Sequence, residues 1–205
     1  MYIPSAFCVE DEQTITDFIK YYPFATLITK SGSNVTHLPL IRRPDGNLEG
    51  HFARGNQHAS ELQSDETEVI AIFHGPHAYI SPMWYSQTQD AVPTWNYAVV
   101  HIHGIARPFV SEEELRNHLI RLVEIFEAHR SPRWRLSDVS ENAFRKLSAA
   151  ICGFIIEPKR IEAKFKLGQN RKREDMKGYV AALSDSDLLS EREFAKFAAN
   201  YLNLD

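Results

Sequence analysis

The chain has 205 residues, 43% of them apolar and 24% charged, with a formal charge of -4 at pH 7. This is ordinary globular composition with room for one well-filled core, and its net acidity excludes a global electrostatic attraction to nucleic acid or to an anionic membrane. Cys8 and Cys152 lie far apart and no CxxC spacing occurs, which excludes a disulfide framework or zinc cluster and fits a reducing cytoplasm. No basic, apolar, small-residue succession follows Met1 and no apolar run is long enough to span a bilayer, so a cytoplasmic location without a membrane partner is expected.

Ile15, Phe18, Ile19 and Tyr22 recur at helical spacing and Pro23 ends the pattern, which predicts a helix over 11–22. Three strand-like runs follow, Phe24 to Lys30, Val35 to Arg42 and Leu48 to Ala53, separated by Ser-Gly-Ser-Asn and Pro-Asp-Gly-Asn turns. A polar helical spacer is expected at 57–66, then strands at Val69 to Phe73, Ala78 to Ser81 and Trp95 to Phe109. Ser111 to Glu114 reads as a capping box opening a helix with Leu115, Leu119, Leu122, Val123 and Phe126 on one face. A shorter helix at 139–148 and a strand from Cys152 to Glu157 come next. Ser190 to Glu193 repeats the capping pattern before a C-terminal helix over 184–205. About six strands joined by tight turns favour an antiparallel barrel over a doubly wound sheet. The expected organisation is a single domain over 1–205, mainly β with flanking helices, with a helical insertion at 111–148.

Phe73 to Gly104 is the most telling stretch, because Tyr79, Ser81, Trp84, Tyr85, Thr94, Trp95, Asn96 and Tyr97 give flat faces and hydrogen-bonding tips where a core strand needs only Val, Ile and Leu. That mixture suits an apolar pocket in which a few polar groups orient a planar ligand. Arg54, Asn56 and His58 sit where a strand gives way to a helix, a place where free amides hold an anion; a hydrogen-bonded turn is the plainer reading. Lys164 to Lys177 carries six basic residues around Gln169 and Asn170, and reads as a solvated loop, an anion site or a nucleic-acid contact. His101 and His103 share a strand face but nothing nearby completes a metal site. No Walker pattern, HExxH, GxGxxG or G-x-S-x-G is present, and no helix-turn-helix stands out.

Five motifs in order, MYIP at 1–4, GHFARGN at 50–56, GPHAYISPMWY at 75–85, VPTWNYAVVHIHG at 92–104 and KFKLGQNR at 164–171, closely resemble the PaiB family of FMN-binding negative transcriptional regulators. Met83 and Gly168 stand where that family pattern often has serine. The resemblance implies an antiparallel FMN-binding split β-barrel, a homodimer with FMN held between subunits, and DNA as a partner. By the same resemblance the FMN phosphate falls to Arg54, Asn56 and His58, with His51 on the strand before them. Thr36 to Pro39, including His37 and Leu38, line the ring. Thr94, Trp95 and Asn96 reach across from the second subunit, while Lys166, Gln169, Asn170 and Arg171 close the site. Two alternatives stay open: a small FMN-dependent oxidoreductase like a flavin reductase or pyridoxamine phosphate oxidase, with His37, His51 or Tyr97 as acid or base, and a haem-binding or haem-degrading split barrel.

Overall fold

The computed structural model describes residues 1–30, 32, 34–62, 67–89 and 91–204. The strands are β1 (Cys8–Val9), β2 (Phe24–Thr29), β3 (Val35–Pro39), β4 (Ile41–Arg42), β5 (Leu48–Ala53), β6 (Thr67–Ile80), β7 (Thr94–Pro108) and β8 (Ile151–Lys166). The helices are α1 (Glu12–Tyr21), α2 (Gln57–Glu61), α3 (Glu112–Glu127), α4 (Glu141–Ser148), α5 (Arg173–Ser184) and α6 (Leu189–Leu202). Hydrogen bonding orders the strands β3-β2-β6-β7-β8-β5-β4, with β1 beside β8. The β1–β8, β2–β3, β2–β6, β4–β5 and β5–β8 pairings are antiparallel.

Eight strands among the described residues therefore replace the expected six, and two of them are longer than their patterns suggest. The pieces at 69–73 and 78–81 are one strand, β6, whose buried positions change parity across His74-Gly75-Pro76-His77. An extra residue in the pleat hides a continuous strand from a period-two reading. β8 likewise runs on past Glu157-Pro158 to Lys166, and the expected 35–42 strand divides at Leu40. The Ser31 and Ser33 positions of the first expected turn and residues 63–66 of the polar spacer lie outside the described residues.

Two compact units divide the chain. The first comprises Met1–Phe18, His74–Val100 and Glu162–Asp205; the second comprises Ile19–Phe73 and His101–Ile161. In the first unit Phe18, Phe165, Phe197 and Tyr201 form one aromatic cluster, with Phe18 and Phe165 ring centres 5.0 Å apart. Gly75 is required there, because a Cβ would stand 2.6 Å from the Phe18 ring. α5 arises within the expected basic loop because Asp175, Tyr179 and Leu183 recur every four residues on its buried side. α6 begins at Leu189 with Ser190 already inside it, so Ser190 does not cap it: the N-cap is Leu188, without a side-chain cap, and Ser186 accepts from Leu188 N at 3.1 Å in the turn before. Within the expected 184–205 span the helix is α6, and α5 ends as that span begins.

In the second unit the cap at Ser111 forms as expected: its Oγ accepts from Glu114 N at 3.1 Å, while Glu114 accepts from Val110 N at 2.7 Å. Ser140 caps α4 in the same way through Ala143 N. The core here is Leu27, Leu40, Leu48, Phe52, Phe73, Phe154 and Ile156, all buried. Phe52 stacks on Phe154 across the β5–β8 pair at 5.0 Å. No described helix is long and apolar enough to cross a membrane.

Candidate functional site

The turn from β5 into α2 is built from its own polar side chains. Asn56 Oδ1 accepts from His58 N at 3.0 Å and so caps α2. Asn56 Nδ2 donates to Thr36 Oγ1 at 3.1 Å, and the same hydroxyl lies 2.7 Å from His58 Nδ1. Whichever of Thr36 and His58 supplies the proton between them, the other ring nitrogen of His58 is Nε2. That nitrogen is buried and has no hydrogen-bond partner among the described residues. Burial holds the His58 imidazole below its ordinary range. Arg54 Nε donates to Ala149 O at 2.8 Å and one terminal nitrogen donates to Ile151 O at 3.1 Å, so the guanidinium is fixed with donors to spare.

Arg54, Asn56, Gln57 and Ser60 line one wall of a cleft of about 860 Å³ whose other lining includes Phe52, Phe109, Leu115 and Phe154. The Gly55 amide makes no hydrogen bond among the described residues, and the space beside its Cα is open. Of the three phosphate candidates, Arg54 and Asn56 line the cleft and His58 is fully buried beneath α2. Leu38 is a core residue, while exposed His37 lies 3.1 Å from Thr26 Oγ1 and stacks on Phe24.

A second group in this unit escaped sequence reasoning. Glu49, one pleat from His51 on β5, is wholly buried and holds Arg121 of α3 through two hydrogen bonds of 2.8 and 2.6 Å. His118, also wholly buried, places Nδ1 3.3 Å from Glu49 Oε1, close but short of a well-aligned hydrogen bond. His118 Nε2 lies 2.9 Å from His51 Nδ1. Burial pushes the Glu49 carboxyl up, but the close His118 ring and the two hydrogen bonds from Arg121 outweigh that and hold it at about 2. Burial, reinforced by His118, pulls His51 down to about 4. His118 Nε2 and His51 Nδ1 share one proton across that contact, and the tautomers decide which of them donates. His118 and Arg121 form an i, i+3 pair on α3, but nothing in the linear sequence ties that pair to a strand some 70 residues earlier.

The first unit carries the other half of the expected residues. Trp95 is exposed on β7, its ring 5.6 Å from that of His77 and 6.4 Å from that of Tyr79. Lys166 Nζ donates to Thr94 Oγ1 at 2.5 Å and to Trp95 O at 2.7 Å. Asn96 points away from this face: it is buried beside Gly168, and its Nδ2 has no hydrogen-bond partner among the described residues. Gln169 braces the turn after β8, accepting from Leu167 N at 2.8 Å and donating to Phe165 O at 2.6 Å. Gly168 has φ +87°, a conformation that a serine would strain. Asn170 is exposed, and Arg171 lies 5.0 Å from the Tyr85 ring centre. Thr94, Trp95 and Lys166 are therefore brought together, whereas Asn96 and Gln169 serve the framework of this unit.

Residues 1–160 match the model of a family described as "Putative FMN-binding domain". The chain belongs to this FMN-binding family. It is 34% identical to the protease synthase and sporulation protein PAI 2 of Bacillus subtilis, over 98% of both chains, in line with the PaiB resemblance of its motifs. Among solved structures it is similar to the flavocytochrome Anf3 of Azotobacter vinelandii, with a TM-score of 0.62 at 15% identity over 79% of this chain and 70% of that one. It also resembles the FAD and heme binding protein of Mycobacterium smegmatis, with a TM-score of 0.60 at 15% identity over 82% of this chain and 78% of that one. These likenesses show the fold, the antiparallel split β-barrel with flanking helices.

Proposed function

We propose that this chain binds FMN as a homodimer and acts as a PaiB-like negative regulator of transcription. The observation that carries the flavin reading is the cleft of about 860 Å³, in which Arg54 and Asn56 form a polar edge and Phe52, Phe109 and Phe154 supply flat apolar lining. FMN needs a place for a phosphate dianion and a slot for a three-ring heterocycle. The unused Arg54 donors and the free Gly55 amide suit the phosphate. In the homodimer Trp95, Thr94 and Lys166 of the second copy close over the ring, consistent with the exposure of Trp95 and with a lysine held beside it. The regulatory role rests on the motif resemblance and the PAI 2 relative. With a chain charge of -4 it is proposed to act through flavin occupancy and a partner rather than through a basic groove-reading surface.

An FMN-dependent oxidoreductase is the second reading, favoured by His51, an imidazole that burial keeps neutral and that His118 holds by a contact of 2.9 Å. The test is an absorption spectrum of the purified chain before and after FMN addition and desalting, with size-exclusion mass alongside. Flavin bands at about one per subunit on a dimer support the proposal, and NADH or NADPH oxidation by that complex would favour the enzyme. A Soret band with no retained flavin would move the chain to haem, as in the Azotobacter and Mycobacterium neighbours.

A further inference from the structure

Lys164 and Lys166 stand two residues apart on β8 and so face the same side, about 7 Å apart along the strand. Lys164 is only 8% exposed, yet neither ammonium has a carboxylate within ion-pair distance among the described residues. Glu162, next on the same face, is taken by the Met1 ammonium at 2.7 Å. Lys164 Nζ donates once, to Tyr2 O at 3.1 Å, and lies 5.3 Å from the Tyr97 ring centre. Lys166 Nζ donates twice, to Thr94 Oγ1 and Trp95 O, so both ammonium groups keep hydrogens unused. Burial, and then the Lys164 charge against the opposing influence of Tyr97, holds Lys166 below the ordinary lysine value.

Two like charges on one half-buried strand face without a counter-ion repel each other and lose hydration, which costs stability unless an anion joins them. Beside them the first unit has a cavity of about 530 Å³ lined by His77, Trp95, Tyr97 and the backbone around Gly75. Trp95 is 55% exposed, so one broad indole surface is uncovered. A bare phosphate would satisfy the lysines and leave the aromatic lining unused; a neutral aromatic would do the reverse.

We propose that this face of the first unit is a binding site for a small planar aromatic carboxylate, its ring against Trp95 and Tyr97 and its carboxylate between Lys164 and Lys166. The site stands whether or not FMN binds. If the proposed homodimer closes this face over the cofactor of the second copy, the aromatic acid is the substrate or effector class of that flavin site; this placement alone rests on the flavin reading.

The test is titration of the full chain, without flavin and at constant ionic strength, with benzoate, benzyl alcohol and acetate, followed by tryptophan fluorescence. Trp95→Phe identifies the Trp95 signal against Trp84 and Trp134. Benzoate is expected to give saturable binding at least about tenfold tighter than either the neutral ring or the ringless anion. Lys166→Gln is expected to weaken benzoate about tenfold and leave benzyl alcohol unchanged, with Lys164→Gln as a second variant should the first not fold. Equal affinity for benzoate and acetate would reduce the site to a nonspecific anion contact. Equal affinity for benzoate and benzyl alcohol, or a Lys166→Gln affinity like that of the unaltered chain, would overturn the proposal. Repeating the titration with FMN present separates the two readings: loss of flavin binding with benzoate binding intact removes only the substrate placement.

Discussion

The buried charges of the two units are treated in opposite ways. In the second unit Glu49 has no exposure, yet Arg121 takes both its oxygens and His118 stands beside it, so the charge is compensated within the chain. In the first unit Lys164 is almost as deeply buried and shares its strand face with Lys166, and among the described residues no carboxylate pairs with either. A charge answered from inside ties elements together; one left unanswered at the edge of an aromatic cavity marks a place where something else completes the structure.

The contrast can be broken most forcefully at Arg121. Arg121→Ala leaves a buried carboxylate short of its main partner and is expected to cost about 3 kcal/mol in denaturant unfolding, the lower end for such a loss because His118 remains. No measurable change would remove the claim that this pair ties α3 to β5. Acid should act on the same group. The native state keeps His51 neutral down to about pH 4 whereas the unfolded chain protonates it near 6.5, so stability falls as pH drops through that window, by roughly 2 kcal/mol. The Glu49 contribution is present above the unfolded carboxylate value of 4.5 and is lost as pH falls from there towards about 2. In His51→Gln the first of these two steps should vanish from a plot of stability against pH, and its persistence would assign the step to another group. At the other extreme, Lys164→Gln combined with Lys166→Gln removes a repulsion and should change stability by no more than about 1 kcal/mol in anion-free buffer. A loss as large as that of Arg121→Ala would show that these lysines are structural, and the comparison would fail.

The sequence displayed much of this architecture because α1, α3 and α4 carry regular apolar faces, with Ser111 and Ser140 placed to cap the last two. It concealed the length of β6, where the parity change near Gly75-Pro76 looks like a turn, and all of α5, whose buried Asp175, Tyr179 and Leu183 lie in a run of charges that reads as a loop. Ser190 had the spacing of a cap but not the position, since the helix already begins at Leu189. At the candidate site Arg54, Asn56, Thr94, Trp95 and Lys166 were legible as residue types suited to an anionic planar ligand. The inward turn of Asn96, the burial of His58 and the bracing role of Gln169 depend on which side of a strand or turn each faces. The Glu49–His118–Arg121 group was invisible for a different reason: its members meet only when α3 packs on β5.

The central claim is that the cleft beside Arg54 holds the phosphate of FMN. Equilibrium binding of FMN and of riboflavin to the unaltered chain and to Arg54→Ala, with circular dichroism to confirm folding, tests it most directly. Arg54→Ala is expected to weaken FMN about tenfold or more and leave riboflavin unchanged, since a charge-assisted contact to phosphate is lost and the ring contacts remain. Equal weakening of both ligands, or an unaltered chain that binds neither, would contradict it.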